Sequence, residues 1–281
     1  MAASASSYCA EQVRRFDHDR YLTCLFAPAA RRGDLFALYA FNLEVAKTAE
    51  MVSEAALGEL RLAWWREALD GIYAGRPPNH EVATPLAAAV RHHGLERGRF
   101  ERLIEARAFD LAGTAPPTLA ALEDYAEDTS AGLLHLALQV LDARGAEATA
   151  AGRHVGIAWA LAGLLRALPF HAAAKRLYLP RELTAAAGLD LGDLFELRSG
   201  PALCRVTEPI AGRAREHLAT ARVLKAQVPK RALPVLLLAR LASQALARLE
   251  KAGYDPFDPS VQAPHPGRVW RLWWAHLWHG Y

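Results

Sequence analysis

The side chains with the most chemical potential in this chain are a small set of carboxylates, cations and one imidazole. Glu50 and Glu54 lie four residues apart, one helical turn, so both could face one side and hold a single cation. The alternative is that Glu54 sits in the first turn of the next helix, where the macrodipole favours an acid; two carboxylates alone make a weak divalent site. The run Glu123, Asp124, Glu127, Asp128 pairs at i,i+4 and offers a metal or a basic partner, or simply a solvated face close to a helix N-terminus. Arg166 and His171 flank Pro169. A buried Arg166 requires a partner, which Glu44 or Glu50 on a facing helix is expected to supply. In the other arrangement Lys47, Arg166 and Arg176 converge on an anionic head group. Neither a nucleotide-binding glycine loop nor HExxH occurs, and nothing points to a Ser-His-Asp set, so dinucleotide-binding, zincin and hydrolase readings lack local support.

The elements that must position these groups are helices. Ala, Leu, Arg and Glu dominate, and apolar residues recur at three and four spacing in segment after segment, an all-α pattern. The periodicity predicts helices over 34–51, 54–74, 83–93, 96–112, 118–142, 147–168, 201–227, 231–251 and 268–279. Ser53 is a candidate N-cap, Gly94 and Gly113 follow helices, and Pro117-Thr118 opens one. Segments 155–168 and 233–241 are apolar nearly all round, as central helices of a bundle are. Pro169 should end or kink the first of them, and Arg176-Leu-Tyr-Leu-Pro180 reads as an extended exit. Adjacent Trp64 and Trp65 diverge by about 100° on a helix, so one is expected in the core and the other as an anchor. Trp270, Trp273, Trp274, Leu277 and Trp278 fall at i, i+3, i+4, i+7 and i+8, an amphipathic helix over about 268–280 suited either to a bilayer interface or to the helical body.

A chain of 281 residues with 52% hydrophobic content can bury a large core, and the absence of linkers or repeats favours a single domain over 1–281. The net charge of +3, with Lys and Arg scattered among acids, argues against nucleic acid and fits an anionic ligand or membrane surface. Cys9, Cys24 and Cys204 are isolated, so neither disulfides nor a zinc site is expected. The start lacks a signal-peptide core and no long uncharged apolar stretch marks a membrane span, so a cytoplasmic protein is expected, peripheral at most on the inner membrane face.

Three blocks resemble the squalene/phytoene synthase superfamily: Tyr21-Leu-Thr-Cys-Leu-Phe-Ala-Pro28, Leu35-Phe-Ala-Leu-Tyr-Ala-Phe-Asn42 and Arg61-Leu-Ala-Trp-Trp-Arg66. Lys175-Arg-Leu-Tyr-Leu-Pro180 is similar to the segment after its second aspartate motif. Ala40-Phe-Asn-Leu-Glu44, Tyr125-Ala-Glu-Asp-Thr129, Leu165-Arg-Ala-Leu-Pro-Phe-His171 and Tyr254-Asp-Pro-Phe-Asp-Pro-Ser260 resemble its non-catalytic branch, typified by the mitochondrial complex I assembly factor six.

The resemblance implies an isoprenoid-synthase-type helical bundle around a central, largely apolar cavity. Family catalysis uses two aspartate-rich motifs around Mg²⁺. On this sequence the first motif falls on Ala46 and Lys47, with Glu50 the one acid left, and the second on Ala167 and His171; Asp19 stands where many family enzymes carry a serine near the diphosphate. No catalytic residue, metal ligand or cofactor is therefore assigned, with Mg²⁺ relevant only if the chain is a head-to-head prenyl transferase after all. Tyr39, Asn42, Lys47, Glu50, Tyr125, Arg166, His171 and Arg176 are the candidate cavity residues; Trp270, Trp273, Trp274 and Trp278 are candidate membrane or partner contacts. The implied partner is a respiratory complex I subunit or assembly intermediate, on the matrix side if the source is eukaryotic, with an isoprenoid or lipid ligand as a further candidate.

Overall fold

The computed structural model describes residues 2–52, 54–263, 267–277 and 280–281. Ser53, proposed above as a cap, and Trp278 lie outside the described residues. In chain order the α-helices are α1 (Ala2–Phe16), α2 (His18–Cys24), α3 (Ala29–Ala46), α4 (Thr48–Met51), α5 (Ala55–Tyr73), α6 (Ala83–His93), α7 (Arg97–Ala112), α8 (Leu119–Ala126), α9 (Gly132–Val140), α10 (Ala146–Ala173), α11 (Arg181–Ala187), α12 (Leu191–Phe195), α13 (Pro201–Val223), α14 (Leu233–Leu236), α15 (Leu238–Lys251), α16 (Pro259–Gln262) and α17 (Arg268–Leu277). No strand occurs among the described residues, so the all-α expectation holds.

The long α10 occupies the centre, packed against α9, α13 and α15, while α3 packs on α1, α6 and α9. Val155, Ile157, Trp159, Leu161, Leu165 and Leu168 of α10 are all buried, as its apolar circumference requires. By length and hydropathy α10 and residues 230–251 could each cross a membrane, but most of each apolar window is buried within the protein; they are core helices.

Local chemistry sets several of the ends. Gly94 (φ 56°) and Gly113 (φ 63°) close α6 and α7 in the left-handed region that glycine enters without steric cost. Thr118 caps α8, its hydroxyl accepting from the Ala121 N–H at 3.1 Å, and Asp17 accepts from the Arg20 N–H at 3.2 Å to open α2. Glu54 is the residue that precedes α5, close to the helix-start position expected for it.

Elsewhere the elements differ from the periodicity. The helix expected from 34 begins at Ala29 and breaks at Lys47. The expected 118–142 helix is α8 and α9 joined by a π-turn, Glu127–Ala131. At that turn Gly156 of α10 is required: a Cβ there would lie 2.4 Å from the Ala131 Cα, so the two backbones touch. Pro169 does not end its helix; α10 continues to Ala173, and the Arg166 carbonyl accepts from the Gln262 side chain at 2.7 Å. The expected 201–227 and 231–251 helices end in or contain 3-10 turns at Leu224–Gln227 and Lys230–Ala232. Among the described residues five helices, α1, α2, α11, α12 and α16, lie where periodicity indicated none.

Candidate functional site

A cavity of about 290 Å³ opens between α1, α3, α7, the π-turn and α10. Phe16, Trp159 and Leu164 form apolar parts of its wall, but Arg20, Asn42, Arg107, Tyr125, Ser130 and Arg166 line it as well. The lining is thus mixed rather than the largely apolar pocket expected, because three arginines and a π-turn carrying Thr129 and Ser130 stand beside the apolar residues.

Each of these arginines is held by an aspartate. Arg20 Nη1 donates to Asp17 Oδ2 at 2.6 Å, with about nine-tenths of both side chains buried. Arg166 Nη1 donates to Asp19 Oδ2 at 3.2 Å, and Arg107 Nη1 to Asp110 Oδ2 at 3.1 Å. The Asp110 carboxylate, only 4% exposed, also accepts from the Tyr125 hydroxyl at 2.8 Å and the Tyr178 hydroxyl at 2.9 Å. Burial pushes both tyrosine hydroxyls far above their ordinary range, with the Asp110 charge adding to it, so both remain neutral donors. Arg20 and Arg166 also both lie over Trp159, 6.0 and 5.6 Å from its ring centroid.

The partner expected for Arg166 is therefore wrong. Glu44 is held by Arg61 of α5, and Glu50 is exposed. Asp19, which stands where many family enzymes carry a serine, instead pairs with Arg166. Of the candidate cavity residues, Asn42, Tyr125 and Arg166 line the cavity. Tyr39 lies beneath it, fully buried, with Arg20 5.5 Å over its ring. Lys47 sits 2.9 Å from the Phe16 ring centroid, and burial lowers its ammonium pKa. Arg176 donates to the Ala49 carbonyl, so Lys47, Arg166 and Arg176 are each engaged separately and form no joint anion site. His171 packs on Tyr178 at 4.6 Å; burial depresses its imidazole to about 4, opposed by Asp110 and assisted by Arg176 and Arg107.

Asp110, Arg107 and Tyr178 were missed by sequence reasoning. Arg107 and Asp110 are three apart on α7 and look like an ordinary surface pair; only the fold brings Tyr178 to them. The acidic run is also more than a solvated face: Glu123 accepts from Arg213 at 2.8 Å and His217 at 2.7 Å, and Glu127 pairs with Arg153 at 2.6 Å. These contacts tie it to α13 and α10.

Mg²⁺ requires several hard oxygens converging on one point. Among the described residues no group of three or more His, Cys, Asp or Glu side chains is arranged to hold a metal, and the cavity aspartates are each bonded to a guanidinium. The residues do not fit the ion that the resemblance implies. What the cavity does offer is polar capacity: Arg20 Nε, Arg107 Nε, Asn42 Oδ1 and Ser130 Oγ are buried without hydrogen-bond partners among the described residues, two donors, an acceptor and a hydroxyl.

The tryptophans separate cleanly. Trp65 is in the core and Trp64 half-exposed, with their rings 4.9 Å apart and edge-on. In α17 it is Leu272 and Ala275 that are buried, whereas Trp270, Trp273 and Trp274 face outward.

A family model described as squalene/phytoene synthase matches residues 13–274. The chain is 33% identical over 261 residues to the complex I assembly factor 6 of Bos taurus, covering 93% of this chain and 78% of the relative. Against the human assembly factor 6 it is 32% identical over 255 residues, 91% of this chain and 77% of the relative. It is also 26% identical over 220 residues to a presqualene diphosphate synthase of Sinorhizobium fredii, 78% of each. Among solved structures, a dehydrosqualene synthase in complex with ligand superposes with TM-score 0.87 at 18% identity, covering 99% of this chain and 97% of that one. A squalene synthase of Alicyclobacillus acidocaldarius superposes with TM-score 0.80 at 22% identity, covering 91% and 96%.

Proposed function

Since the chain belongs to the squalene/phytoene synthase family, we propose that it keeps the family's helical scaffold as a non-catalytic assembly factor for respiratory complex I and does not ionise prenyl diphosphates. One observation carries the chemical half of this reading. The aspartates around the cavity, Asp17, Asp19 and Asp110, are all committed to arginines, so a diphosphate arriving with Mg²⁺ would have to break these pairs before any metal could be bound. Ala46, Lys47, Ala167 and His171 add no carboxylate at the positions where the family motifs fall. The likeness to assembly factor 6 over most of both chains supports the assembly half.

The test has two arms. Incubation with farnesyl or geranylgeranyl diphosphate and Mg²⁺ is expected to give no presqualene diphosphate, squalene or phytoene. Turnover that is lost on chelating Mg²⁺ and in Glu50→Gln would establish the enzyme reading instead. Native purification from the host with mass spectrometry is expected to recover complex I subunits or assembly intermediates; recovery of none, with an isoprenoid bound, would favour a carrier.

A further inference from the structure

We propose that the face formed by α17 and the 222–240 segment docks on a bilayer carrying anionic phospholipid. This goes beyond the assembly reading and does not depend on it.

The first observation is a segregation of charge that the overall balance of the chain hides. From 217 to 249, and again from 259 to 281, there is no Asp or Glu, while Arg222, Lys225, Lys230, Arg231 and Arg240 fall within the first stretch and Arg268 and Arg271 within the second. The basic residues of the first stretch that are named here are exposed. Among the described residues none of Arg222, Lys225, Lys230 and Arg240 forms a salt bridge; Arg222 donates instead to the Ser243 hydroxyl at 2.7 Å. Elsewhere on the molecule arginines are paired repeatedly with carboxylates. A cluster of cations lacking internal partners has its counter-charge outside the molecule.

The second observation is the orientation of α17. Leu272, fully buried, and Ala275, 2% exposed, fix the helix to the body, helped by His276 against Phe26 at 5.0 Å between ring centroids. Trp270, Trp273 and Trp274 are 69%, 45% and 55% exposed and so are not what holds the helix down. Three outward tryptophans on one ten-residue helix form the kind of apolar aromatic surface that globular proteins seldom leave to water. Tryptophan, with an apolar body and an N–H at its edge, is suited to the head-group layer.

The third observation joins the two. Trp274 shares a surface recess with Arg240 and Ser243, and Ser243 is bonded to Arg222. Arg222, Lys225 and Lys230 line an open groove of about 490 Å³ together with Val223, Leu233 and Tyr281. Tyr281 is in turn anchored by its hydroxyl to the Ala221 carbonyl at 3.4 Å. Aromatic wedge, basic collar and groove are thus contiguous. Phosphates would meet the collar while the tryptophans enter the head-group layer; a zwitterionic surface would satisfy only the second half.

The full chain is mixed with vesicles of phosphatidylcholine alone, or of phosphatidylcholine with phosphatidylglycerol, and binding is measured by co-sedimentation and by quenching of tryptophan fluorescence with bromine-labelled acyl chains. Binding to the anionic vesicles is expected to be about tenfold or more tighter and to weaken as salt is raised. The triple variant Lys225→Glu/Lys230→Glu/Arg240→Glu should lose about tenfold or more in binding, and Trp273→Ser/Trp274→Ser should lose most of the quenching, both with melting temperatures close to the parent's. The parent alone can overturn the proposal, by binding neither vesicle or both equally, which keeps the test decisive even if a variant fails to fold. A folded triple variant that binds like the parent overturns it as well.

Discussion

The central cavity and the C-terminal face are both rich in arginine or lysine, yet they treat charge in opposite ways. Around the cavity Arg20, Arg107 and Arg166 each meet an aspartate, and Asp110 draws in two tyrosines besides. On the C-terminal face the cations of 222–240 meet no carboxylate among the described residues, and the aromatic rings beside them are exposed. Charges satisfied from within hold helices in register. Charges left open, next to apolar surface, direct the molecule toward something else. The contrast gives one scaffold a charge-paired centre and an outward-looking edge.

The largest effect that can break this contrast is at Asp110. Asp110→Ala leaves the largely buried Arg107 guanidinium and two tyrosine hydroxyls without their acceptor, and a loss of about 3–5 kcal/mol in unfolding free energy is expected by urea denaturation. Adding Arg107→Met should recover a substantial part, since no uncompensated charge is then buried. A single variant as stable as the parent would show that the cluster is not the structural pin described.

Next in size is a pH effect centred on His171. Its folded pKa, near 4, lies below the unfolded value of about 6.5, so between these the unfolded chain binds more protons. The stabilisation is fully present above about pH 6.5 and lost as pH falls toward 4, on the order of 3 kcal/mol at most. Urea melts at pH 7 and pH 5 should show this loss in the parent and a flatter dependence in His171→Leu; identical slopes would remove His171 from the account.

The smallest expected effect sharpens the comparison from the other side. Glu50 is exposed, so Glu50→Gln should change stability by no more than about 0.5 kcal/mol. A loss of several times that size would mean that Glu50 has a buried partner and that the cavity extends toward α4.

Much of this was legible in the residues, and the failures have physical causes. Apolar spacing reports burial, so it located α5, α6, α7 and the body of α10, and the glycines at 94 and 113 marked their ends through backbone geometry. It missed α1, whose buried Cys9 and Val13 are four apart but stand in a stretch of small polar residues. It could not see the π-turn, which inserts a residue without altering local composition. Tyr125 was placed at the cavity by resemblance, whereas Asp110 was not, because its bonds to Tyr125 and Tyr178 span 15 and 68 residues. The reverse error occurred at the C-terminal end: the acid-free stretches are plain in the sequence, but a near-neutral total made the charges look evenly scattered.

The π-turn at Glu127–Ala131 also fixes a phase. A π-turn closes on an i→i+5 bond and holds one residue more than an α-turn for the same rotation about the axis, whereas a residue removed from α8 or α9 itself would swing everything beyond it by about 100°. Upstream, Tyr125 points to Asp110; downstream, Gln139 donates to Glu96 at 2.7 Å; the extra residue is taken up in the turn, so both aims share one phase. Length is therefore constrained in the flanking helices rather than at the turn. Loss of Asp128 should be absorbed by reversion to an α-turn, while loss of a residue from α9 should misalign one end of the bundle against the other.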